Sequence, residues 1–132
     1  MLCDTNIISE LARPKPNKGV WTWASQHQHI HISTITVEEL YFGLSWKPHP
    51  RIRLWLDNFL QDYCTILPVT EKIARYSGES RGNLQAQGKP RTQADILIAA
   101  TAAVHDLTLV TRNTKDFESC GIRLLNPFID SY

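Results

Sequence analysis

Four acids stand where chemistry is possible: Asp4, Glu39, Asp95 and Asp116. Asp4 ends a short apolar run, Leu2-Cys3, that reads as a strand. Glu39 falls in the first turn expected of a helix after a second strand, and Asp95 in the first turn of an apolar helix. Asp116 opens a short helix after a further strand. In open parallel sheets, ligands bind beyond the carboxyl ends of the strands, where the strand order reverses. The expected topology brings all four acids to that end. Neighbouring carboxylates in apolar surroundings cannot all stay ionised without a cation. Oxygen-only donors with open positions favour magnesium, or manganese, over zinc. A hard divalent ion held this way suits phosphodiester hydrolysis, because it activates water and neutralises charge on the phosphate.

A plainer reading stands beside this one. Thr36-x-x-Glu39 and Thr92-x-x-Asp95 fit the helix capping box, and Asn113-x-x-Asp116 has a similar form. Acids there also meet the helix dipole favourably. Asp4 resists that explanation, since a carboxylate directly after a buried strand is costly without a partner.

The elements that must position these acids alternate along the chain. A helix through Ile7, Ile8 and Leu11 stops before Pro14, and a second is expected from Asn17 to Gln26. His29 to Thr34 reads as a strand. Val37, Leu40, Tyr41 and Leu44 then recur at helical spacing, and Ile52 to Tyr63 forms another helix. A strand at Thr65 to Val69 is followed by a polar helix from Glu71 towards Gln87, closed by Gly88. Ala94 to His105 is apolar nearly all round, as a helix buried on a sheet should be. Strands follow at Leu107 to Thr111 and Ile122 to Leu125. Strands separated by helices imply parallel β-α units, so the fold class is α/β.

At 132 residues the chain has the length of one domain, expected over residues 1–128 with a C-terminal tail at 129–132. No apolar run approaches the roughly 20 residues of a membrane span, and no signal peptide is visible. Cys3, Cys64 and Cys120 lie far apart, a pattern of reduced thiols that predicts a cytoplasmic protein. The net charge is +1, from 14 basic and 13 acidic residues. Setting the four site acids aside leaves nine acids against 14 bases, a balance that permits a nucleic-acid partner without arguing for one.

Taken together, four segments are familiar: Asp4-Thr5-Asn6; Ser33-x-Ile35-Thr36-x-x-Glu39-Leu40-x-x-Gly43; Asp95-x-x-Ile98-Ala99-Ala100; and Leu109-Val110-Thr111-Arg112-Asn113-x-x-Asp116-Phe117. In this order they closely resemble the PIN-domain toxins of the VapC and FitB type, from about residue 1 to residue 128. The resemblance implies a three-layer α/β/α fold with a central parallel sheet. It implies a magnesium- or manganese-dependent endoribonuclease acting on RNA, transfer RNA among the candidates. A small antitoxin would inhibit it, with operator DNA met only through that partner, and a homodimer is expected. By the resemblance Asp4 and Asp95 match the principal metal ligands. Glu39 holds the metal or orients the attacking water, and Asp116 is the fourth catalytic acid. Asn113 stands where some relatives carry an acid, which implies one ion rather than two. Thr5 and Asn6 match positions that can orient Asp4, although Asn6 also fits a helix cap.

Two other readings compete. One is a non-catalytic regulatory partner of a DNA-binding antitoxin. The other is a phosphohydrolase with a phosphorylated Asp4, opposed by Asn6 where a D-x-D pair needs its second acid. His27, His29 and His31 alternate on a strand, but their glutamine neighbours favour solvated side chains. Trp21, Trp23, Trp46 and Trp55 suit bases, a core or an interface, and the helices carrying Trp46 and Trp55 are candidates for antitoxin contact. Lys47, Arg51, Arg53, Arg81, Lys89 and Arg91 are candidates for a phosphate-binding rim.

Overall fold

The computed structural model describes residues 1–129, so all of the expected tail except Ile129 lies outside the described residues. Five parallel strands form one sheet in the order β3-β2-β1-β4-β5. They are β1 (Leu2–Cys3), β2 (Ile30–Ser33), β3 (Cys64–Leu67), β4 (Leu109–Val110) and β5 (Leu124–Leu125). The chain builds outward from β1 through β2 to β3, then crosses to lay β4 on the other side of β1. The order therefore reverses between β1 and β4.

Alternation of side chains along each strand divides the core in two. Cys3, Ile30, Ile32 and Val110 face one cluster, with Ile7, Ile8 and Leu11 of α1 (Thr5–Leu11), Val20 and Trp23 of α2 (Lys18–Ser25), and Leu56 and Leu60 of α4 (Pro50–Tyr63). Leu2 and Leu109 face the other, with Ile98, Ala99 and Ala102 of α6 (Gln93–Val104) and Phe117 of a 3-10 helix, Thr114–Cys120. α5 (Glu71–Ala86) packs outside α6, and Gly88 closes it with a positive φ of 76°. Helices thus cover both faces of a parallel sheet, the three-layer α/β/α arrangement that the sequence predicts.

One element starts earlier than its sequence suggests. Helix α3 spans Thr34–Trp46, and Ser33 caps it by accepting from the Ile35 N–H at 3.0 Å. Thr36 is therefore not the cap; it is a buried interior residue, and Glu39 lies in the second turn. Both residues are good caps, and the strand's end decides between them. The helix also carries Phe42 and Trp46 on its outer side, exposed by 65% and 72%, so its apolar surface extends beyond the face packed on the core.

The segment after β5 folds back onto α2. A Cβ added at Gly19 would sit 2.1 Å from the Pro127 carbonyl oxygen, closer than any real contact. We expect Gly19→Ala to cost about 1–3 kcal/mol, the usual penalty of overpacking, read as a lower urea midpoint with an unchanged slope.

Candidate active site

Because Cys3 pairs with Val110, the residues that follow them, Asp4 and Thr111, emerge side by side at the carboxyl ends of β1 and β4. That is the switch point of the sheet, where a ligand crevice is expected. Asp4 is only 6% exposed, yet its carboxylate is well supplied with donors. Oδ1 accepts from the Thr5 N–H at 2.8 Å, and Oδ2 accepts from the Thr111 hydroxyl at 2.9 Å and the Asn6 amide at 3.2 Å. Burial raises its pKa, the hydrogen bonds from Thr111, Thr5 and Asn6 oppose that rise, and the nearby Glu39 charge adds to it.

The supporting groups form a chain of contacts. The Thr111 hydroxyl also accepts from the Asn113 N–H at 3.0 Å, which sets the direction of the loop after β4. Asn6 serves Asp4 through its amide nitrogen, while its oxygen accepts from the Arg112 N–H at 3.0 Å. The expected orienting role of Asn6 is therefore met; the cap of α1 is Asp4 itself. The Thr5 hydroxyl donates to Glu39 Oε1 at 2.6 Å, tying α3 to the first turn of α1.

Asp95 enters from the other side of the sheet on the first turn of α6. Thr92 caps that helix by accepting from the Asp95 N–H at 3.2 Å. Asp95 lines the crevice, and its pKa is raised first by burial; a hydrogen bond from Thr92 opposes that rise, the charges of Asp4 and Asp116 add to it, and Arg91 lowers it. The cap and the site are thus compatible, since Asp95 takes part in the cap through its backbone N–H while its residue lines the crevice.

The crevice encloses about 480 Å³, and Asp4, Glu39 and Asp95 all line it. Asp116 does not: it is exposed on the 3-10 helix, and its carbonyl accepts from Arg91 Nε at 2.9 Å. Asn113 lines the crevice instead. The structure therefore brings together three of the four expected acids and leaves the fourth acting across space on Asp95. Glu10, Arg13 and Arg112 were not foreseen as lining residues. Glu10 is buried, accepting from the Asn17 N–H at 2.8 Å and pairing with Arg13 at 3.3 Å. Its place on the apolar face of α1 was the available signal.

Four carboxylates and two guanidinium groups line the crevice, an excess of two negative charges. Among the described residues no three histidine, cysteine or carboxylate side chains are grouped as a complete ligand set. The donors present fit a hard ion held by one or two carboxylates with water completing its shell, as magnesium prefers.

The other candidates lie elsewhere. Trp23 is fully buried in the core, with His27 stacked on it at 4.7 Å. His29 bonds Thr65 and is exposed, whereas His27 and His31 are half-buried rather than solvated: His27 packs on Trp23 of α2, and His31 lies on β2 between two neighbouring strands. Arg53 lies over Tyr41, and Trp55 stacks on Phe59. None of these residues lines the acidic crevice. No helix among the described residues is long and apolar enough to cross a membrane.

A PIN-domain family model matches residues 1–121. VapC ribonuclease Y4jK of Sinorhizobium fredii is 33% identical over 136 residues, covering 97% of each chain. Toxin FitB of Neisseria gonorrhoeae is 34% identical over 138 residues, covering 98% of this chain and 99% of that one. Among solved structures, VapBC2 from Rickettsia felis bound to a DNA fragment from its promoter matches with a TM-score of 0.83 at 30% identity, covering 95% of this chain and 96% of that one. The chain belongs to the PIN-domain family, among its VapC- and FitB-type members.

Proposed function

We propose that this protein is the ribonuclease toxin of a toxin–antitoxin pair, hydrolysing RNA phosphodiesters with magnesium or manganese held by Asp4 and Asp95. The observation that carries the reading is the crevice itself: three carboxylates at the switch point of a PIN fold, in a chain similar over its length to a VapC ribonuclease. The ion, when bound, supplies Lewis acidity to the phosphodiester and to the attacking water. The chain's own residues do the rest. Asp4 is fixed by its three donors, so its orientation is set before any ligand arrives. Glu39, anchored by the Thr5 hydroxyl, is the group to orient the water and accept its proton. Asp116 adds negative potential from the rim, and Asn113 offers an amide to water or phosphate.

Partners follow from the same relatives. An antitoxin would block the crevice, and it would carry the complex to operator DNA, a reading supported by the promoter-bound VapBC2 assembly of Rickettsia felis. That assembly also favours a second reading, in which the chain is a non-catalytic regulatory partner. The deciding experiment is incubation of the purified protein, freed of any partner, with total RNA and with transfer RNA, in magnesium or in EDTA. Cleavage in magnesium that EDTA abolishes supports the ribonuclease. No cleavage of either RNA moves the regulatory reading to the front.

Thr111 gives a finer check. Its hydroxyl lowers the pKa of Asp4, so removing it lets that pKa rise further. We expect Thr111→Val to reduce cleavage about 10–100-fold, the range for groups that orient a metal ligand. The acid limb of the pH–rate profile should move to higher pH; a limb that stays put would count against Asp4 as the titrating group.

A further inference from the structure

Arg112 is a cation on the wall of an acidic crevice, and no ion pair among the described residues includes it. The other lining cation, Arg13, is paired with Glu10. Arg112 instead lies over the ring of Phe128, 4.7 Å from its centroid. Stacking of this kind holds a guanidinium in place while leaving its edge N–H donors free, which suits planar recognition of a phosphate.

The placement is built in by the backbone. The Arg112 N–H donates to Asn6 Oδ1 at 3.0 Å, and its carbonyl accepts from Asn126 Nδ2 at 3.3 Å. The same Asn126 side chain accepts from the Phe128 N–H at 3.0 Å. One buried amide thus fixes both partners of the stack, and Asn6 ties that stack to Asp4. Since these bonds use the Arg112 backbone, replacing its side chain removes the guanidinium and leaves the frame.

We propose that Arg112, stacked on Phe128, binds a backbone phosphate of the RNA strand lying in the crevice and so positions the strand against the carboxylates. This rests on the ribonuclease reading. An exposed guanidinium next to a net-negative site offers an RNA phosphate its first counter-charge, and the bidentate fork fixes the strand's register. Binding there releases a counterion, so it leaves a signature in the salt dependence of affinity.

The test uses a single-stranded RNA oligonucleotide, with binding measured by fluorescence anisotropy over a salt series in the Asp4→Asn background. Adding Arg112→Gln should weaken binding about tenfold and reduce the slope of log affinity against log salt by about 0.7, the value for one phosphate on a single strand. Arg112→Lys should restore the slope, because charge sets it, but only part of the affinity. In the otherwise wild-type enzyme, Arg112→Gln should raise KM about tenfold and also lower kcat, because a strand out of register reaches the carboxylates less often. An unchanged slope in Arg112→Gln, with its melting temperature unchanged, overturns the proposal even if the enzyme cuts RNA. If the slope falls but the parent enzyme cuts no RNA, the phosphate contact stands and the ribonuclease reading fails.

Discussion

Replacing Asp4 with Asn should abolish RNA cleavage, by about 10³-fold, the scale of losing a group that stabilises transition-state charge, while leaving the protein folded. Asn keeps the size and shape of Asp4, and its oxygen can still accept the Thr5 N–H that holds Oδ1, but its amide nitrogen replaces the oxygen that accepts from Thr111 and Asn6, at a cost of about 1–3 kcal/mol. What it removes is a charge that burial opposes. The sign of the pH effect follows from that. A carboxyl whose pKa is raised on folding binds its proton more tightly in the native state, so native stability falls as pH rises through the folded pKa. In EDTA, the melting temperature of the wild type should therefore fall relative to that of Asp4→Asn as pH climbs above the usual aspartate range. Magnesium should raise the melting temperature of the wild type alone, through binding to the native state. A variant that was unfolded at every pH would make Asp4 a structural residue.

Trp23→Ala should be the most damaging substitution in the core, at about 3–5 kcal/mol. The side chain is fully buried among α1, α2 and the sheet, and total stabilities of about 5–15 kcal/mol leave little in reserve. Its indole N–H meets no acceptor among the described residues, so the loss is one of packing rather than of a hydrogen bond. Trp23→Phe should accordingly recover most of the stability. Trp21, two residues away and 60% exposed, should tolerate Ala within about 0.5 kcal/mol. Urea denaturation of the three variants separates these outcomes, and equal losses at Trp21 and Trp23 would contradict the assigned burial.

Much of the architecture was legible because it depends on local pattern. The apolar Leu2-Cys3 before Asp4, the alanine-rich run of α6 and the spacing of Val37, Leu40, Tyr41 and Leu44 each report their own environment. What escaped was relational. Two good capping residues, Ser33 and Thr36, compete for the start of α3, and only the end of β2 settles the turn on which Glu39 lies. Thr111 carries no local sign that it will support a carboxylate 107 positions earlier in the chain. Asp116 has the right residue type and neighbours, but the 3-10 geometry of its segment turns it outside the crevice. The fourfold convergence expected from the sequence becomes three acids in the crevice, with Asn6, as its segment suggests, and Thr111, which nothing local announces, holding Asp4 in place.

The central strand has a consequence for synthesis. β1 comes first in the sheet's chain order, but one of its two neighbours, β4, is not made until residues 109–110. Asp4 therefore has neither its sheet partner nor Thr111 until more than a hundred further residues have left the ribosome. Contacts this distant in sequence form late, after the entropy of closing the loop has been overcome. A growing chain would carry every early acid yet present no assembled crevice. Chains truncated before β4 would likewise be silent. On the ribonuclease reading, such delay would keep the nascent product from acting on RNA while it is still being made.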